Sequence, residues 1–319
     1  MYHNSINVIG IMSGTSLDGL DLCLVKFNND DYSEFQIIKG LTYPYSKKWI
    51  NKLTNSINLS NENLDLLDKE YGKLISDTIN KFINDCGNPK INLVSSHGHT
   101  VFHDPKKGIT KQIGNGSVIF DKTKISLICD FRTQDVELGG QGAPLVPIGD
   151  LNIFKNYKYC LNLGGFGNIS IKKNNLIKAF DICPVNTVLN YYSKKLGYHY
   201  DKNGKFSEKG NVNYKLFNKL NSLEYYKTKG PKSLGIEFVN EKIIPLIDSF
   251  SVNNNDVLKT FIEHITEQIN ISIKENKENE SILITGGGTY NQTIIKKLKN
   301  KLKCNVIIPE KKLLIIKKH

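Results

Sequence analysis

The chain has 319 residues, 39% of them hydrophobic and 23% charged, which suits one large or two medium soluble domains with a sizeable core. Its net charge of +12 comes from lysines scattered beside Asn and Ile, with alanine only at Ala143 and Ala179; this is compositional drift rather than a nucleic-acid stripe, although it favours an anionic ligand. No apolar run reaches the roughly 18 residues of a membrane span, and Met1-Tyr2-His3-Asn4-Ser5 carries no secretory leader, so a cytoplasmic protein is expected.

Alternation predicts strands over Asn7–Met12, Leu20–Phe27 and Phe35–Tyr43, an antiparallel meander joined by Gly- and Asn-rich turns. Helices follow over Lys47–Ile57 and Asn61–Cys86, the second with Leu64, Leu67, Tyr71, Leu74, Ile75 and Ile79 on one face. Ile91–Ser95 reads as a buried strand running into Ser96-His97-Gly98-His99-Thr100, with short strands near Gln112–Ile113 and Ile125–Cys129. A second round starts near Tyr157 with strand, Gly-rich turn and strand over Tyr159–Ile171, then a strand ending at Phe180-Asp181. Helices are predicted over Asn186–Leu196, Asn213–Leu220, Asn240–Phe250 and Asp256–Asn276; a strand over Ser281–Thr285 then meets Gly286-Gly287-Gly288 and a helix over Asn291–Lys303. Each half opens with strand–hairpin–strand, a structural pseudo-repeat that would set one Gly-rich hairpin on each side of a cleft.

The turn Gly14-Thr15-Ser16-Leu17-Asp18-Gly19-Leu20-Asp21 offers N–H groups and hydroxyls to a phosphate and carboxylates to its magnesium, and reads equally as an ordinary hairpin. It does not match GxxxxGK[ST], which excludes a P-loop. Gly164-Gly165-Phe166-Gly167-Asn168 leads into a strand, so it is no Rossmann fingerprint; it is either a tight turn or a backbone pressed on phosphates. The Gly286–Gly288 run lets a flat ring approach the backbone, or simply links strand to helix. Asp181, at a strand end, is a candidate general base or a helix-capping residue. His97, His99 and His103 suit hydrogen bonding better than metal ligation. Arg132, in a lysine-dominated chain, suggests a forked hydrogen-bonding role or a surface salt bridge. Six cysteines without a CxxC pair read as reduced and buried.

Taken together, Gly10–Asp21, Ser96–Val101 with His103, Gln112–Gly114, Asp130–Arg132, Gly139–Pro147, Asn162–Asn168, Phe180-Asp181, Lys232–Gly235 and Gly286–Asn291 resemble, in order, the anhydro-N-acetylmuramic acid kinase family over nearly the whole chain. The resemblance implies an α/β protein of two ribonuclease-H-like (actin/hexokinase-type) domains, residues 1–155 and 156–319, with a nucleotide cleft between them. It implies an ATP-dependent kinase of peptidoglycan recycling that opens the 1,6-anhydro bond of 1,6-anhydro-N-acetylmuramic acid and phosphorylates O6. Asp181 would be the base, Gly14–Asp21 with Gly164 and Gly165 would hold the phosphates, and Gly286, Gly287 and Gly288 would sit near the adenosine. Mg2+ would be held at Asp18, while His97, Arg132, Gly142, Ala143 and Pro144 would shape the sugar site; a homodimer is also implied.

Three departures stand out. Where the family usually reads Asp-Thr-Gly-Pro-Gly-Asn, this chain has Asp181-Ile182-Cys183-Pro184-Val185-Asn186, expected to add bulk beside the carboxylate. His99 replaces a usual Gln. The ending Leu313–His319 leads to the expectation of a missing last helix, with an impaired pseudokinase that still binds nucleotide or sugar as the alternative reading.

Overall fold

A computed structural model describes residues 5–14, 17–104, 107–142, 145–174, 176–228 and 232–310. They form two compact units that meet in sequence at Val146 and Pro147. In the first unit the strands are β1 (Ser5–Ser13), β2 (Gly19–Asn28), β3 (Phe35–Pro44), β4 (Leu93–Ser96), β5 (His99–Asp104), β6 (Ile109–Ile113) and β7 (Leu127–Cys129). In the second they are β8 (Tyr159–Leu163), β9 (Phe166–Lys173), β10 (Leu176–Pro184), β11 (Ser281–Thr285) and β12 (Asn305–Ile307).

The expected pseudo-repeat is present in the pairing. The first sheet has the order β3-β2-β1-β4-β7 and the second β10-β9-β8-β11-β12. In each, the first three strands are an antiparallel meander and the last two run parallel to the meander's first strand. Parallel pairing requires long crossovers, which the helices supply. This order and sense is the ribonuclease-H-like sheet, occurring twice. β5 and β6 form a separate two-stranded ribbon.

Period-two alternation buries Ile9, Ile11 and Ser13 of β1, and helical spacing brings Leu64, Leu67, Tyr71, Ile75, Ile79 and Phe82 of the Asn61–Asp85 helix against the same sheet. Ser60 caps that helix by accepting the Asn63 N–H. In the second unit β11 is buried on both faces, so it reads as a continuous apolar run.

The predicted Asn240–Phe250 helix is instead three short pieces, Ile236–Phe238, Val239–Ile243 and Ile244–Asp248, the middle one wide-turned. Pro245 has no N–H to donate one turn back, and the helix widens just before it. The predicted Asp256–Asn276 helix ends at Ser272, because Asn276 turns inward to accept the N–H groups of Lys303 and Cys304 at 2.7 and 2.8 Å. The cysteines also need correction. Only Cys160, Cys183 and Cys304 are buried; Cys23 and Cys86 are half-buried and Cys129 is exposed. Among the described residues no helix is long and apolar enough to cross a membrane.

His264 is fully buried in the Asn254–Ser272 helix. Its Nδ1–H donates to Asn221 Oδ1 at 2.8 Å, and its Nε2 accepts from the Tyr226 hydroxyl at 3.0 Å. Burial pushes its pKa down to about 3. The unfolded chain binds this proton near pH 6.5, so the stability contribution is complete above that pH and is lost as pH falls, by roughly 1.4 kcal/mol per pH unit. Denaturant titrations from pH 7 to 4 are expected to show one fewer proton taken up on unfolding in His264→Gln than in the native chain. An unchanged pH slope would remove His264 from the acid lability.

Candidate functional site

The turn between β1 and β2 is built by strand alternation that stops at Ser13 and resumes at Gly19. Within it the Leu17 N–H donates to the Gly14 carbonyl at 3.3 Å, and Leu17 takes a left-handed backbone with φ of 55°. Thr15 and Ser16 lie outside the described residues. Asp18 is exposed on the turn; Gly19 and Leu20 are buried, paired with Pro44 and Tyr43 of β3. Asp21 accepts the Thr42 hydroxyl. Burial raises the Tyr45 pKa, and the hydrogen bonds to Ser13 and Tyr71 partly offset this.

Beneath the turn runs a buried polar chain. Tyr45 donates to Ser13 Oγ at 2.8 Å, Ser13 Oγ meets His99 Nδ1 at 2.9 Å, and the Tyr45 and Tyr71 hydroxyls lie 2.5 Å apart. Burial, with a smaller contribution from the neighbouring His97, drops the His99 pKa to about 4, leaving the ring neutral.

A second cluster gathers around Arg132. Its Nε and Nη2 both donate to His97 Nε2 at 3.1 and 2.9 Å, and its Nη1 donates to the Gly142 carbonyl at 2.8 Å. The Gly142 N–H in turn donates to Asp135 Oδ2 at 2.6 Å. His97 is therefore the Nδ1–H tautomer, donating to the Gly98 carbonyl at 3.1 Å. Burial first, and then the Arg132 charge, hold its pKa low. Three residues expected together, His97, Arg132 and Gly142, do meet; Ala143 and Pro144 lie outside the described residues.

Asp181 sits in the second unit where β10 bulges against β9, between Asp181 and Cys183. Tyr225, Lys232 and Leu234 grip it at three points. The Asp181 N–H donates to the Lys232 carbonyl at 2.9 Å, its carbonyl accepts the Tyr225 hydroxyl at 2.6 Å, and Oδ2 accepts the Leu234 N–H at 2.9 Å. Lys232 lies 4.2 Å from the Tyr225 ring centre and donates to the Tyr225 carbonyl at 2.8 Å, tying the two residues together. Burial raises the Asp181 pKa and the Leu234 N–H partly offsets this. Of the segment expected to add bulk beside the carboxylate, Ile182, Cys183 and Val185 are packed into the core, at 2%, 0% and 0% exposure.

A family model described as anhydro-N-acetylmuramic acid kinase matches residues 6–315. The chain belongs to the anhydro-N-acetylmuramic acid kinase family. It is 35% identical over 320 residues to the anhydro-N-acetylmuramic acid kinase of Haemophilus influenzae, covering 92% of this chain and 83% of that protein. Against the enzyme of the same name from Pseudomonas syringae pv. syringae it is 33% identical over 306 residues, covering 91% of this chain and 82% of that protein. The Bacillus thuringiensis enzyme of that name is 28% identical, covering 95% and 87%. Membership makes the chain a kinase, and kinases use ATP.

Within this family member the two remaining glycine runs have partly structural explanations. The Gly164–Gly165 turn closes on the start of the Asn186–Lys195 helix: Gly165 O accepts the Val185 and Thr187 N–H groups at 2.8 and 3.2 Å, and Asn186 Nδ2 donates to Gly164 O at 2.7 Å. A side chain at Gly286 or Gly288 would run into Leu163 of β8, whereas Gly287 faces open space with Asn186 Nδ2 nearest at 3.7 Å. Sequence reasoning missed Tyr225, Tyr45 and Ser13. The segment Lys232–Gly235 was marked by resemblance but carried no role; its spacing from Asp181 gives no local signal. His103 bonds Thr110 Oγ1 at 3.2 Å, so all three histidines make hydrogen bonds.

Proposed function

We propose that this kinase hydrolyses the 1,6-anhydro bond of 1,6-anhydro-N-acetylmuramic acid and phosphorylates O6, giving N-acetylmuramic acid 6-phosphate and ADP. The observation that carries the reading is the three-point grip on Asp181, which fixes a half-buried carboxylate of raised pKa at the bulge of β10, three residues before the strand ends rather than at the expected strand end. Asp181 takes a proton from water as the water oxygen bonds to the anomeric carbon. The C1–O6 bond breaks, O6 bonds to the γ-phosphorus, and ADP leaves; the proton on Asp181 passes to solvent. Fixed geometry and a poised base supply what such a reaction needs from side chains.

The Gly14–Asp21 turn holds the phosphates in this reading. Asp18, exposed on the turn, and Asp21 are hard oxygen donors of the kind magnesium takes. When bound there, the ion would neutralise phosphate charge. His97, Arg132 and the Gly142 loop bind the sugar, Gly164 and Gly165 flank the phosphates, and Gly287 faces the adenosine. ATP as co-substrate fits a cytoplasmic setting.

Incubation with ATP, magnesium and the anhydro sugar, following ADP and sugar phosphate, tests the activity. Ligand binding by well-folded protein without turnover would replace this reading with the pseudokinase. For the sugar shelf, Arg132→Lys keeps the charge but loses the fork that reaches His97 and Gly142 together. Losing one charge-assisted bond of about 1.5–3 kcal/mol predicts roughly 10–100-fold weaker sugar binding by calorimetry. ATP affinity should hold, and unchanged sugar affinity would detach Arg132 from that role.

A further inference from the structure

We infer that His99 is a positioning residue that couples the sugar shelf to the phosphate turn within the first unit, through Ser13; the inference rests on the ligand assignments proposed above. The two ends of the coupling are fixed to the same short stretch of chain. β1 ends at Ser13, directly before the turn, and the 97–99 segment is stitched to that end at two points: the His97 N–H donates to the Ile11 carbonyl at 3.1 Å, and His99 Nδ1 meets Ser13 Oγ at 2.9 Å. His97 carries Arg132 and, through it, the Gly142 loop.

The segment is closely packed. Gly98, between the histidines, has φ of 69°, and a Cβ there would stand 2.5 Å from the Ile113 carbonyl of β6. His99 is 4% and Ser13 3% exposed, and the Tyr71 ring lies edge-on to His99 with centroids 6.3 Å apart. The cluster is continuous from the tyrosines to the histidine. Tyr45 donates to Ser13, Ser13 Oγ shares a hydrogen with His99 Nδ1, and the Tyr45 and Tyr71 hydroxyls share another. A buried hydrogen-bonded chain ties the positions of its members together, since removing one leaves a neighbour short of a partner. Movement of the shelf when sugar seats therefore reaches Ser13 and the turn that follows it.

The test is the thermodynamic coupling between ligands, measured by calorimetry of a non-hydrolysable ATP analogue with and without saturating 1,6-anhydro-N-acetylmuramic acid. In the native chain the sugar is expected to change analogue affinity by about 5–150-fold. His99→Leu and Ser13→Ala should each bring the factor to within about twofold of unity, with no further loss in the double variant. His99→Gln retains a side chain that can either donate to or accept from the Ser13 hydroxyl and should preserve the coupling. A native chain that binds both ligands with no coupling overturns the inference while leaving the ligand assignments standing, and so does full coupling in Ser13→Ala, which removes only a hydroxyl. A native chain that binds neither ligand overturns the proposed function itself.

Discussion

Replacing Asp181 with Asn is expected to lower turnover by about 10²–10⁴-fold, the usual worth of a positioned general base. Nucleotide affinity should be retained and thermal stability should rise. The amide keeps an oxygen for the Leu234 N–H and leaves the backbone bonds to Lys232 and Tyr225 untouched. What disappears is the burial of an ionised carboxylate. Asp181 has a pKa raised above its unfolded value, so its contribution to stability is complete below the unfolded pKa and is lost as pH rises through the folded one. At neutral pH the native chain carries that cost and the variant does not. Melts at pH 7 should place Asp181→Asn above the native chain, and the gap should close toward pH 4. The same shift sets the activity profile. The base works only when ionised, so kcat/KM should climb with pH along a limb centred above the ordinary aspartate value. Native turnover in Asp181→Asn would remove this carboxylate from the chemistry, whatever the melts showed.

The parts of the fold that rest on local periodicity were legible in the sequence. Alternation around Gly-rich turns placed both meanders, and the 64–79 stripe placed the longest helix of the first unit on its sheet. Tertiary hydrogen bonding decided what local pattern could not: Asn276 cut one helix short, and the ribbon β5–β6 took up a His-rich segment with no clear period. The base itself could be named, but its grip could not. Tyr225 reaches Asp181 across 44 residues, and nothing in its neighbourhood announces a hydroxyl aimed at a backbone carbonyl. The altered segment after Asp181 was legible as a departure, but the packing of Ile182, Cys183 and Val185 into the core was not. His97 and Arg132 stood out by residue type; that one imidazole nitrogen accepts twice from the guanidinium is a fact of geometry alone.

The triple glycine can be divided between structure and function by two neighbouring substitutions. Gly286 has φ of 86° and ψ of 170°, a region open essentially to glycine. An added Cβ would stand 2.7 Å from the Leu163 carbonyl carbon and oxygen and 2.6 Å from Asn162 Oδ1. Leu163 ends β8, in register with Gly167 of β9, and its carbonyl accepts the Asn186 amide at 3.1 Å, so its backbone is held in place. Backbone strain of about 1–3 kcal/mol and overpacking of about 1–3 kcal/mol predict that Gly286→Ala loses roughly 2–6 kcal/mol. At about 2–4 °C per kcal/mol, the melting temperature should fall by several degrees to more than ten. Gly287→Ala meets only the Asn186 amide at 3.7 Å, ordinary contact, and should melt with the native chain. Its methyl group points into space that the proposed function gives to the adenosine, so ATP affinity should drop while stability holds. If Gly287→Ala binds ATP as the native chain does, the run is explained by the packing of Gly286 and Gly288 on Leu163, and the adenosine must sit elsewhere.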